Sequence, residues 1–580
     1  MAFILFATTN TPQLNFSTFK ICSDSYDIKH LKMKQLLLLS YIIISLVLTT
    51  TAQNNKSIPP EKPKLIISIV IEQMRYDYIS RFWEKFEKNG FKRLISEGSF
   101  CKNTNLNYIF SQSSSGHASI FTGSTPSQHG IISNSWYLAN KKKKIYCTDD
   151  EKYKTVGSES NTGKMSPKQL TTTTFGDELK LYNNNKSKII GVSMKDYAAI
   201  LPAGHTANTA YWYDNQTGNW ITSSYYISSL PEWVIDFNKK KLPDFYLDRQ
   251  WTPLLSITEY TESLPDSNIF ETGINNKTAF PYNLNELSQI KKNARNYNLL
   301  KSTPFGNTIT NDFAIAAIIG EQLGADKYTD VLTISYTSTG NIGDAFGTRS
   351  VEIEDTYLRL DKEIAHLIDY VNDNFGKENV LIFLTADNGT IDNPKYLAGY
   401  AAPAGFFNHV YAVALLKSYL NALYGEGDWI SEYIDQQLYL NQKLIEDSKL
   451  SLSEVQNKAA QFLLQFSGVA NTITATTLQN TNFTEGIFDK MQNSYNQKRS
   501  GDVLINLEPG WIQETYLSTA HNSAYSYDSH IPLIWYGWKI GRKTINRKIS
   551  ITDIAPTISW LLNIPFTSNI DGDPIIELSE

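Results

Sequence analysis

The chain has 580 residues and a formal net charge of −5. That balance gives no case for a nucleic-acid partner, which a basic surface would announce. Its 41% apolar content is ample for a sizeable core, and one α/β domain with insertions can reach this length.

The first fifty residues differ from the rest. "MKQLLLLSYIIISLVLTTTAQ" begins at Met33: Lys34 is positive, Leu36 to Leu48 is almost wholly apolar, and Thr49 to Ala52 suit a signal peptidase. The run is too short to span a bilayer, so residues 33–52 read as a secretory signal peptide cleaved near Ala52. Residues 1–32 have no place upstream of such a signal, which makes Met33 the expected start; an uncleaved signal anchor is the alternative. The mature protein is expected to be periplasmic or secreted, with no transmembrane anchor. It keeps Cys101 and Cys147; in an exported chain one disulfide between them is expected, with two buried thiols as the alternative.

"KPKLIISIVIEQM" (62–74) reads as an opening strand that delivers Glu72 to its end. A second extended piece, "CKNTNLNYIF", leads into "SQSSSGHASIFTG", where a serine cluster precedes an apolar helical run. Lys141 to Lys144 reads as a solvated hairpin tip. "SKIIGVSMKD" (187–196), "DVLTISYTSTG" (330–340) and "NVLIFLTADNG" (379–389) are further buried strands, with long helical patterns between them. Such alternation predicts a doubly wound, mostly parallel α/β sheet flanked by helices. Residues 207–300 carry hairpin signals, and 418–500 read as short helices with a polar surface. Both are expected to be cap-like insertions in a domain spanning 53–580.

The strand ends collect chemistry. Glu72 follows the first strand; Ser113 opens a helix; Asn134, Lys195, Asp344, Asp387, Asn388 and His521 lie at or near other ends. Carboxylates beside a hydroxyl at a helix N-terminus suggest phosphoryl transfer, with an amide and a cation holding phosphoryl oxygens. Blander readings stand beside these. Ser113 can be a helix cap, Asp387 can cap its turn, and Asn388 tolerates a left-handed turn. His117, His205 and His530 read as structural.

The stretches "LIISIVIEQMRYDY", "GHASIFTGSTPSQHGI", "KDYAAILPAGHTANTAYWYD", "EDTYLRLDKEI", "LTADNG", "SYDSHIPLIWYGW" and "DIAPTISWLLNI" resemble the alkaline phosphatase superfamily. The likeness is to its secreted zinc monoesterases with a threonine nucleophile. The resemblance implies Ser113 as nucleophile, four residues before the "GH" histidine, with Asn134 and Lys195 binding phosphate. Tyr197 stands where the family has an arginine, a poorer phosphate donor. One implied zinc site reads Gly340, Asp344 and His521; the other reads Glu72, Asp387 and Asn388. Gly340 has no side chain, and an amide is a weak zinc ligand. The oxygen-rich remainder suits Mg²⁺, Mn²⁺ or Ca²⁺ better than a zinc pair, or no metal with a proton in its place. The expected ligand is a small phosphate ester or related anion. Three functions stay open: a hydrolase impaired or altered in metal preference, an inactive binding module, and a phosphodiesterase.

Overall fold

Eleven strands form one mixed sheet: β1 (Leu65–Ile71), β2 (Ser99–Asn105), β3 (Thr155–Val156), β4 (Ile189–Ser193), β5 (Thr209–Tyr213), β6 (Trp220–Ser223), β7 (Asp330–Tyr336), β8 (Val380–Thr385), β9 (His530–Gly537), β10 (Lys543–Ile545) and β11 (Ile549–Ser550). The structure is a computed structural model that describes residues 61–291, 294–514 and 517–579. The expected early start and signal peptide, residues 1–32 and 33–52, lie outside the described residues. Among those residues no helix is long and apolar enough to cross a membrane.

The spatial order is β10-β2-β9-β8-β1-β7-β4-β5-β6-β3, with β11 beside β2. Strands β8, β1, β7, β4 and β5 run parallel, while β9 and β6 pair antiparallel at either side. The expected α/β architecture is therefore present, with antiparallel margins. Every residue of β1, β4, β7 and β8 is buried. Covered on both faces, such strands need continuous apolar runs, which is why they were legible as runs. Register levels their ends: Ile71 pairs with Tyr336, Val70 with Thr385, and Ser335 with Ser193. The residues just past these strands therefore emerge together on one edge of the sheet.

The helices that matter for the site are α1 (Ser113–Thr122), α2 (Asp196–Ala203), α3 (Phe305–Gly320), α4 (Ser338–Phe346) and α5 (Val351–Phe375). Helix α1 lies very close to the loop after β8. A Cβ on Gly116 would stand 2.4 Å from the Asp387 carbonyl oxygen, so only glycine permits that approach.

Two segments differ from expectation. Residues 207–300 begin with β5 and β6, so their first part extends the main sheet. Within 418–500 and just after it, the expected short helices are joined by strands of a second, four-stranded sheet: Ile430–Ile434, Gln437–Leu440, Val503–Leu507 and Val469–Thr474. The first two are joined by Asp435 and Gln436, both at positive φ (47° and 64°). That is the backbone of a tight hairpin turn, but without the Asn-Gly or Asp-Gly pair that usually marks one. This sheet has its own apolar core, including Leu416, Trp429, Leu438, Val455 and Ile505.

The expected disulfide is corrected. Cys101 and Cys147 are buried free thiols. They pack in different apolar clusters, Cys101 under the main sheet and Cys147 with Trp136 and Tyr197. Burial pushes the Cys101 thiol up to about 12 and the Cys147 thiol well above its ordinary value, so both stay protonated. Lys141 to Lys144 do form an exposed hairpin tip, between Ser135–Leu138 and Lys143–Tyr146.

Away from the strand ends, Glu352 on α5 is fully buried. Its Oε1 accepts from the Tyr282 hydroxyl at 2.5 Å, and its Oε2 has no partner. Burial, and for Glu271 the neighbouring Glu352 charge, raise both carboxyls well above the ordinary range. A raised folded value contributes stability below the unfolded pKa, and that contribution is lost as pH rises through the folded value. Stability is therefore expected to fall from neutral to alkaline pH. Glu352→Gln, which cannot ionise yet still accepts from Tyr282, is expected to flatten that fall. Thermal midpoints across pH check this; parallel profiles for both proteins would refute it.

Candidate active site

Glu72 follows β1 and is the hub of the sheet edge. Its Oε1 accepts from Lys195 Nζ at 2.7 Å, from Ser113 Oγ at 3.0 Å and from the Tyr197 hydroxyl at 3.0 Å. Burial alone would raise this carboxyl. The Lys195 ammonium, helped by Ser113, outweighs burial and holds it below its ordinary value. Lys195 gains in return: burial opposes its charge, but Glu72 leaves its pKa raised.

The next residue ties three strand ends together. Gln73 sits at φ 57°, a left-handed turn that costs a non-glycine residue about 1 kcal/mol. From there its backbone N–H donates to Asp387 Oδ1 at 3.0 Å, and its side-chain Nε2 donates to Asp344 Oδ1 at 3.1 Å. Asp387 Oδ1 also accepts from Asn388 N at 2.8 Å. Asp387 Oδ2 has no hydrogen bond and lies 3.7 Å from His117 Nδ1. His117 is committed elsewhere, Nδ1 to the Ser113 carbonyl and Nε2 to Ser335 Oγ, both at 2.8 Å.

Electrostatics follow from depth. Burial, then the Glu72 charge, pushes Asp387 up to about 8; burial pushes Asp344 up to about 6. Burial pushes His117 and His521 down to about 4. At neutral pH the pocket thus holds two neutral imidazoles, a protonated Asp387 and an ionised Glu72 paired with lysine.

Asn134 braces the start of α1. Its Oδ1 accepts from Ser114 N and its Nδ2 donates to Gln112 Oε1, both at 3.1 Å. His521 lies on the same side, because Asn522 N donates to Ser111 Oγ at 3.0 Å, two residues before Ser113. Among the described residues its Nδ1 has no partner, nor has either polar atom of the Asn388 side chain. Buried polar atoms are almost always paired, so orphans gathered at one edge mark a site rather than a scaffold. Asn134, Lys195, Tyr197 and Asp344 line a cavity of about 590 Å³. A larger one, about 680 Å³, lies beside Thr155, Leu230 and Lys239. The buried charge network, not size, singles out the first.

All the expected site residues thus reach one edge. Residues 66–530 match the model of the type I phosphodiesterase / nucleotide pyrophosphatase family. The chain belongs to this family. It is 40% identical to alkaline phosphatase PafA of Elizabethkingia meningoseptica, over 93% of this chain and 98% of that protein. It is 41% identical to a Myroides odoratus protein named calcium-transporting ATPase, over 90% of this chain and 95% of that one. The solved structure of wild-type PafA superposes with a TM-score of 0.86 at 40% identity, covering 90% of this chain and all of that one. These matches put the chain in the alkaline phosphatase superfamily.

The zinc pair implied by that resemblance does not fit the residues present. Among the described residues, no three His, Cys, Asp or Glu side chains group closely enough to hold an ion. In the expected ligand set of Glu72, Asp344, Asp387, Asn388 and His521, three members are poorly disposed toward zinc. Glu72 Oε1 is taken by three donors, one of them an ammonium. Asp344 is engaged by Gln73, and Asn388 brings only an amide. Nor is there room at Gly340: a Cβ there would stand 2.9 Å from both Cγ and Cδ of Glu72. The longer Glu72 side chain fills the space an aspartate at 340 would need.

The sequence reading missed Gln73 and Lys301. Gln73 carried a signal, being the second residue past a strand end. Lys301, in "NLLKSTPFG", carried none, because a lysine ahead of a helix reads as solvated.

Proposed function

We propose that the protein is a phosphate-ester-binding member of its family whose metal-assisted hydrolysis has been lost. Its pocket would keep the anion-holding half of a phosphatase site. Export after cleavage near Ala52 would place it in the periplasm or outside the cell. The observation that carries this reading is the Lys195–Glu72 pair at 2.7 Å, an ammonium on the carboxylate that the resemblance assigns to zinc. Lys195 spends one of its three protons on Glu72, and the others remain for an anion. Asn134 and the N-terminus of α1 add neutral donors.

The same pair argues against turnover. A carboxylate held below its ordinary pKa is a weak acceptor for a serine proton. Its charge, 3.0 Å from Ser113 Oγ, also opposes an approaching phosphate. Retained hydrolysis of a monoester or diester is the second reading, favoured by that same distance, which is within reach of a general base.

Calorimetric titration with inorganic phosphate, beside turnover of chromogenic mono- and diesters with Zn²⁺, Mg²⁺ or Mn²⁺, decides between them. The proposal expects phosphate binding, with turnover equal to that of Ser113→Ala. Turnover that Ser113→Ala abolishes would establish the second reading instead.

A further inference from the structure

Lys301 is the next-to-last residue of the short helical turn Tyr297–Ser302, just ahead of α3. It is 8% exposed, so its ammonium is largely withdrawn from water. Among the described residues its one recorded side-chain contact is the Tyr213 ring, with Nζ 5.9 Å from the centroid. Its own carbonyl accepts from Asn341 Nδ2 at 3.3 Å, which fixes the backbone and leaves the ammonium unengaged. Burial lowers its pKa to about 8, with Asp196 opposing only in part. Asp196 is already held by the Tyr146 hydroxyl and Thr148 Oγ1, each at 3.0 Å.

Burying a lysine without a partner is costly, and such groups are normally paired. Here the ammonium lines the same cavity of about 590 Å³ as Lys195, and these two are the cations among its described lining residues. They differ in one respect. Lys195 is neutralised by Glu72, whereas among the described residues Lys301 has no carboxylate in ion-pair contact. The neighbouring wall is polar, with Asn298, Ser302 and Asn341, and Asn215 Oδ1 is buried without a partner.

We propose that Lys301 receives a second anionic group of the ligand, which makes this pocket selective for a phosphate ester carrying another phosphate or a carboxylate. The inference rests on the anion-binding reading above and specifies its ligand class. Lys195 and Asn134 hold the first phosphoryl group. Lys301 then supplies the counter-charge for the far end of the molecule, and an uncharged ester portion leaves it unpaired.

The test is calorimetry on the wild-type protein, Lys301→Met and Lys301→Arg. The probes are inorganic phosphate, pyrophosphate and phosphoglycolate. Lys301→Met is expected to weaken pyrophosphate or phosphoglycolate about tenfold while leaving phosphate within about twofold, and Lys301→Arg to retain tight binding. The probe that suffers more names the second group as phosphate or carboxylate. Methionine keeps the stem and removes a buried charge, so the thermal midpoint is expected to hold or rise. Equal weakening of phosphate, or no change for either larger probe, overturns the role of Lys301 while the anion-binding reading stands. A wild-type protein that binds none of the three overturns both.

Discussion

Restoring four side chains together, Glu72→Asp, Gly340→Asp, Asp344→His and Asn388→His, is expected to yield a protein that retains zinc. It should hydrolyse a chromogenic phosphate monoester on the order of 10²-fold faster than the parent, the size of effect one well-placed electrostatic stabiliser commands. The need for the change at Glu72 comes from packing. Without it, the new Cβ at 340 would meet Glu72 Cγ and Cδ at 2.9 Å. The triple variant that keeps Glu72 is therefore expected to bind no more zinc than the parent. Shortening Glu72 makes the room and also loosens its hold on Lys195. Metal analysis after dialysis, with steady-state kinetics, checks both variants. Zinc retained equally by parent and quadruple variant would show that the ligand positions are misassigned.

Lys195→Met is expected to destabilise the fold by about 3 kcal/mol, because it leaves a buried carboxylate without its counter-charge. The Glu72 side chain is 3% exposed and that of Lys195 is 20%, so solvent can compensate little. Glu72→Gln added to Lys195→Met should recover most of the loss, since neither remaining group is charged. Denaturant midpoints for the two single variants and the double variant close the cycle. Additive losses would mean that the pair is not coupled.

Much of this arrangement is legible in the sequence. β1, β4, β7 and β8 are buried on both faces, so their apolar runs stand out, and each run ends where a charged or polar group emerges. That is why Glu72, Lys195, Asp387 and Asn388 could be placed at strand ends. The convergence of those ends follows from a parallel sheet, whereas the order of its strands is not written in the runs. Other features left no local mark. The hairpin at Asp435 and Gln436 has the right dihedrals but the wrong residues for a pattern to find. A lysine buried without a partner, like Lys301, looks in sequence like any solvated one. The cysteines misled because export permits a disulfide, while packing in separate clusters decides against it. The closeness of the Glu72 side chain to the place a Cβ at 340 would take is likewise something no one-dimensional reading contains.

Lys195 occupies the Glu72 carboxylate that the resemblance assigns to zinc. A crystal structure of the wild-type protein grown with excess zinc reads this directly. The prediction is Lys195 Nζ on Glu72, with no ion between Glu72, Asp387 and Asn388. Lys195 displaced, and zinc bound to the Glu72 carboxylate, would contradict it.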